Sequence, residues 1–103
     1  MKHAIVHDLD ASTAKKATLR AFAEYSARYP EYAPELRWLD ERRANVSFSP
    51  KGIKIGGTLT VGERSVDLDL DVPFLLRIFQ KKAVDIIDRE VRIWIGKAKD
   101  GLL

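Results

Sequence analysis

Two alternating strands joined by a short polar turn are the feature of this sequence that most constrains its fold. Across residues 53–72, apolar and polar side chains alternate on either side of Glu63-Arg64. A tight turn there pairs Val61 with Val66 and Leu59 with Leu68, which puts the apolar side chains on one face. Those apolar positions are Ile53, Ile55, Leu59, Val61, Val66, Leu68, Leu70 and Val72. The pattern predicts an antiparallel hairpin with one buried face and one face in water.

The preceding residues predict further strands that use the same face. Ser-Pro-Lys-Gly at 49–52 is typical of a turn, because proline and glycine stand where turn geometry favours them. A turn centred on Pro50-Lys51 predicts two cross-strand pairs, Phe48 with Ile53 and Val46 with Ile55. A shorter strand with Leu36 and Trp38 comes before them. Together these segments predict a four-stranded antiparallel meander.

A long helix is predicted from Phe74 to Lys99, with a length of about 39 Å at 1.5 Å per residue. Its two adjoining apolar stripes cover roughly 200° of the circumference, whereas a helix that faces one core shows a stripe just over about 100° wide. One stripe contains Leu76, Ala83, Val84, Ile87, Val91, Trp94, Ile95 and Ala98, and the other contains Leu75, Phe79, Ile86 and Ile93. The segment from Arg77 to Lys99 also carries seven basic residues against three acidic ones. Such a helix has more apolar surface than a small sheet needs.

The N-terminal part of the chain predicts one strand and one helix. Residues 2–9 have the apolar centre of a short strand, and Asp10 is a natural N-cap for a helix that runs to about Tyr29. Pro30 and Pro34 end that helix. The predicted fold is α+β in two layers: a strand, a helix and a four-stranded meander, with the long C-terminal helix packed on one face. Both helices are expected on the apolar face of a single antiparallel sheet.

Composition narrows the class of protein. The 103 residues suffice for one domain, predicted as 1–103, and the chain has no cysteine for disulfides or thiol chemistry. Its net charge of +3 is spread evenly along the chain, so no basic arm predicts a nucleic-acid partner. Neither a signal peptide nor a transmembrane segment is evident. We therefore expect a cytoplasmic protein.

The polar residues give no positive sign of catalysis. His3 and His7, four apart on a strand, would lie roughly 13 Å apart, too far to share a metal ion. Asp67, Asp69 and Asp71 form a row whose expected neighbours are Thr60, Thr58 and Gly56, which is typical of a solvated face. Gly56-Gly57 opens no helix, so a bulge or a tight crossing beneath the long helix is expected there. We therefore expect that the protein is not an enzyme, and the sequence identifies no catalytic, cofactor-binding or metal-binding residues.

In the order and spacing of its motifs, the chain resembles the polyhydroxyalkanoic acid system family. The motifs are Leu-Arg-Trp at 36–38, Val-Ser-Phe at 46–48, Gly-Thr-Leu-Thr-Val at 57–61, Val-Asp-Leu-Asp-Leu at 66–70 and Phe-Leu-Leu at 74–76. The resemblance implies a role in polyester storage or at the granule surface and supplies no catalytic residues. The chain departs from the family pattern in a longer linker at 29–34 and in Ile-Trp-Ile at 93–95.

The resemblance thus implies a non-enzymatic accessory protein of polyhydroxyalkanoate metabolism that acts by binding. The predicted interaction surface is Phe74, Leu75, Ile78, Phe79, Ile86, Ile93, Trp94 and Ile95, and its partner is a second copy, a granule or an apolar ligand. One alternative is a lipid or apolar-ligand carrier in which a curved sheet grips the helix. Its cavity would be lined by Trp38, Phe48, Leu59, Leu68, Phe79 and Ile87. A structural homodimer is the other alternative.

Overall fold

The computed structural model describes residues 2–49, 52–71 and 77–103, with the side chains of 77–80, 82 and 83 left undescribed. Five antiparallel strands form one sheet in the order β1-β5-β4-β3-β2. The elements are β1 Lys2–Val6, α1 Ala11–Arg28, a short 3₁₀ turn Pro30–Tyr32, β2 Glu35–Trp38, β3 Arg43–Phe48, β4 Ile55–Val61, β5 Ser65–Asp71 and α2 Arg77–Lys99. The predicted α+β architecture is confirmed, with α2 packed on the sheet. β1 lies at the edge beside β5, so α1 carries the chain across to the opposite edge.

Helix α1 begins and ends where the sequence predicts. The Asp10 carboxylate accepts hydrogen bonds from the Thr13 backbone N–H and hydroxyl, both at 2.8 Å. These bonds satisfy a donor that the first helical turn leaves unpaired. At the other end Tyr29 is the C-cap, and Pro30 begins the 3₁₀ turn that follows.

The register of the last hairpin is confirmed. Leu59 pairs with Leu68 and Val61 with Val66, across the tight connection between β4 and β5. On the other face, Asp67, Asp69 and Asp71 pair with Thr60, Thr58 and Gly56, as expected. Because this turn is short and local, the alternation of the two strands is enough to fix their pairing.

The predicted register between β3 and β4 is wrong by two residues. Phe48 pairs with Ile55, not Ile53, and Val46 pairs with Gly57, not Ile55. β3 ends at Phe48 and β4 begins at Ile55; between them Gly52 has a φ of 78° and Ile53 is 43% exposed, and the predicted turn at Pro50-Lys51 lies outside the described residues. A contact distant in sequence accompanies this connection, since the Ser49 N–H donates to the Tyr32 carbonyl at 2.6 Å. Because side chains alternate with a period of two, a shift of two residues leaves the same side chains of each strand facing the core.

Helices α1 and α2, here called the helical layer, cover one face of the sheet, and the opposite face is here called the outer face. The inward side chains of the strands join those of the helices in a single core. Its largest fully buried members are Phe48, Ile5, Ile55, Leu59, Leu68, Leu70, Val61, Val66, Val91 and Thr18. Thr18 is polar, and its hydroxyl donates to the Ala14 carbonyl at 2.9 Å.

Gly57 marks a close approach between strands. A Cβ atom there would lie 2.2 Å from the Asp69 carbonyl oxygen and 2.9 Å from the Leu70 Cα. The crossing beneath the long helix that the sequence predicts is not what limits Gly57, because the nearest atoms belong to the paired strand β5. Only glycine allows the two backbones to come this near.

Candidate functional site

The two helices of the helical layer run in opposite directions, and the last residue of each forms an ion pair with a residue distant in sequence. Arg28, at the end of α1, donates to Glu90 at 2.8 Å, and Lys99, at the end of α2, contacts Asp8 at 2.9 Å. Glu90 is only 4% exposed. Pairing with Arg28 compensates the removal of this carboxylate from water, which would otherwise be costly.

A second polar contact ties α2 to the edge strand β1. Asp88 lies 2.6 Å from the His3 Nε2 and accepts from the Arg92 Nε at 2.6 Å. Burial raises the pKa of Asp88, but the hydrogen bonds from Arg92 and His3 outweigh it and hold that pKa below its usual value. His3 therefore joins the sheet to the helical layer.

His7 holds the connection that follows β1. It is 5% exposed, its Nε2 donates to the Gly62 carbonyl at 2.9 Å, and its Nδ1 accepts from the Leu9 N–H at 3.2 Å. A histidine ring that donates from Nε2 and accepts at Nδ1 is neutral and has its proton on Nε2. Within the described residues, the His, Asp and Glu side chains form no group of three or more that could hold a metal ion.

The predicted interaction surface divides into buried and exposed parts. Ile86 and Ile95 are 8% and 7% exposed and pack into the core of the chain. Ile93 is 42% exposed, and Trp94 is half-buried with the Lys97 Nζ 4.1 Å from its ring centroid. Phe74 and Leu75 lie outside the described residues, and so do the side chains of Ile78 and Phe79. Among described side chains, Ile93 and Trp94 are the members of this surface that reach solvent.

The residues predicted to line an apolar cavity lie mostly in the packed core. Phe48, Leu59, Leu68 and Ile87 are each at most 2% exposed. Trp38 packs against the edge of the core, with the Lys15 Nζ 4.3 Å from its ring centroid. The Phe79 side chain lies outside the described part of the chain, and the cavity itself stays a prediction.

A narrow crevice lies between the two helices. Its lining is Ala21, Phe22, Tyr25, Ile87, Glu90 and Val91, and it has no room for a water molecule. The Tyr25 hydroxyl is buried and has no hydrogen-bond partner among the described residues. Burial, with smaller effects from Tyr32, Tyr29 and Glu31, raises the pKa of Tyr25 to about 12.

Charge is segregated between the helical layer and the rest of the chain, which the even distribution along the sequence conceals. The two helices contain eleven basic and four acidic residues, a net charge of +7. The whole chain has +3, so the strands and connections together have −4. Sequence reasoning missed Lys16 and Arg20 as part of a basic surface, because it considered α2 alone. The basic bias of α1 is the signal that could have revealed them.

The amino-acid sequence of the chain is similar to that of a known protein family. The family model described as "Putative polyhydroxyalkanoic acid system protein" matches residues 4–93. The chain belongs to this family. The match runs from within β1 to Ile93 in α2, and so includes α1 and the other four strands. No curated protein matches the chain. Among the described residues, no helix combines the length and apolarity that a membrane crossing requires.

Proposed function

We propose that this chain is a non-enzymatic accessory protein of polyhydroxyalkanoate storage, acting in the cytoplasm by binding. Family membership over residues 4–93 supports the storage role. The binding mode rests on one observation, the exposure of Ile93 beside the half-buried Trp94 on the outside of the helical layer. An aliphatic and an aromatic side chain on a helix whose other face is already packed can contact a further apolar surface.

Binding to the polymer is tested by sedimentation with lipid-free polyhydroxybutyrate particles. We expect the wild-type chain to pellet with the particles and Ile93→Ser to bind roughly three- to tenfold more weakly, because less apolar area is removed from water. The matched control is Val6→Ser, since Val6 is 67% exposed but stands on β1, between the inward-facing Ile5 and His7. Val6→Ser should bind like the wild type.

The same preparation separates the alternatives. A wild-type chain that stays in the supernatant contradicts polymer binding. Sedimentation velocity without particles reports the homodimer, and a dimer that Ile93→Ser dissociates would assign Ile93 to a subunit interface. For the carrier with an internal cavity, particle binding should be the same for Ile93→Ser as for the wild type, because the ligand would lie inside the chain.

A further inference from the structure

The surface of the helical layer stays basic after its ion pairs are counted. Three of its four acidic residues are in ion pairs within the chain, since Glu24 and Glu90 both contact Arg28 and Asp88 contacts Arg92 and His3. In contrast, Lys16 and Arg20 on α1 are exposed, and no ion pair involves them within the described residues. Uncompensated positive charge therefore dominates the solvent side of both helices.

On α2 the basic and apolar side chains share one row. Arg89, Ile93 and Lys97 follow one another at intervals of four, so they stand one above the other on the helix. All three are exposed. Trp94 lies beside the row, with the Lys97 ammonium over its ring. Basic residues that flank an aliphatic and an aromatic side chain are typical of helices that lie at a membrane–water interface.

The outer face of the sheet lacks this basic excess. Asp67, Asp69 and Asp71 on β5 and Glu35 on β2 point outward, but so do Lys2, Arg37 and Arg43 on the other strands, and the formal charges nearly cancel. An anionic surface would therefore attract the helical layer more strongly than the outer face. The molecule therefore has a built-in electrostatic orientation across its two layers.

From these observations we infer that the helical layer docks on an anionic lipid surface, with the outer face of the sheet turned away. The inference deepens the proposed function and rests on it, because it names lipid as the partner of the same surface. The basic charge of the helical layer favours an anionic partner. The exposed side chains of Ile93 and Trp94 favour a partner that also has an apolar interior. A nucleic acid would satisfy the charges and leave Ile93 without an apolar contact.

The test is flotation with vesicles of phosphatidylcholine alone and with roughly one third phosphatidylglycerol added. We expect binding to the anionic vesicles only, and binding that weakens as salt screens the charges. The double variant Arg89→Glu with Lys97→Glu should weaken binding roughly tenfold or more, since basic residues near an anionic surface each contribute to affinity.

The control double variant, Arg37→Glu with Lys54→Glu, changes the net charge by the same amount away from the helical layer. Arg37 is exposed on β2, and Lys54 is exposed just before β4. This control should bind anionic vesicles at least half as well as the wild type.

Equal losses in both double variants would overturn the orientation, and equal binding to neutral vesicles would overturn the role of charge. Circular dichroism checks that each variant is folded, and Arg89→Gln with Lys97→Gln repeats the test without introducing acidic groups.

Failure of this inference is distinguishable from failure of the proposed function. A chain that pellets with lipid-free polymer but ignores anionic vesicles keeps the proposed function and overturns the lipid partner. Tighter binding to duplex DNA than to anionic vesicles also overturns the inference. Flotation with anionic vesicles but no sedimentation with bare polymer supports the lipid partner and contradicts direct contact with the polyester.

Discussion

At the scale of single residues, a few side chains hold the connections that place the strands. Asp40 organises the turn between β2 and β3, because its carboxylate accepts from the backbone N–H groups of Arg42 and Arg43 at 2.9 and 2.7 Å. It also accepts from the Arg43 Nε at 2.9 Å. The bonds from the Arg42 backbone, the Arg43 side chain and the Arg43 backbone lower the pKa of Asp40 to about 2.

The depressed pKa of Asp40 predicts a loss of stability in acid. A carboxyl group whose folded-state pKa lies below its unfolded value of 3.8 stabilises the fold above that value. The contribution declines as pH falls from about 3.8 to about 2. We expect Asp40→Asn to lower the Tm at neutral pH, and the difference from wild type to vanish near pH 2. A carboxyl resonance of Asp40 that titrates near 3.8 by NMR would contradict this account.

At the scale of elements, sequence patterns predicted the strands and helices but not every pairing between them. The alternation on both sides of Glu63-Arg64 was enough to predict the β4–β5 register, because the turn is short. The β3–β4 connection instead contains the bond from Ser49 to Tyr32 and the positive φ of Gly52. A contact between residues so far apart along the chain leaves no mark in local alternation, so the two-residue shift could not be predicted.

The close approach of β4 and β5 predicts that a side chain at position 57 destabilises the fold. Gly57→Ala should lower the free energy of unfolding by about 1–3 kcal/mol or more, because the new methyl group would overlap the Asp69 carbonyl. Gly56→Ala is the matched control, since the nearest atom to a Cβ there is the Val46 carbonyl oxygen at 4.0 Å. Urea denaturation measures both. Equal stability of the two variants would show that the strands can move apart without cost.

At the scale of the whole molecule, the candidate surface was only partly predictable. The helical pattern identified the apolar stripes of α2, but it could not assign Ile86 and Ile95 to the chain's own core. That assignment depends on α1, which packs against α2 and is distant in sequence. For the same reason the charge segregation was hidden, because the basic residues of the helical layer come from both halves of the chain. What was left exposed after folding is the smaller surface around Ile93 and Trp94.

In the proposed mode of binding, the helical layer contacts the granule and the outer face of the sheet does not. The chain has no cysteine, so Ile93→Cys and Val6→Cys each allow one environment-sensitive dye to be attached at a known place. On addition of polyhydroxyalkanoate granules, the dye at position 93 should shift its emission toward that of an apolar environment, while the dye at position 6 should not change. A response at position 6 without one at position 93 would contradict the account.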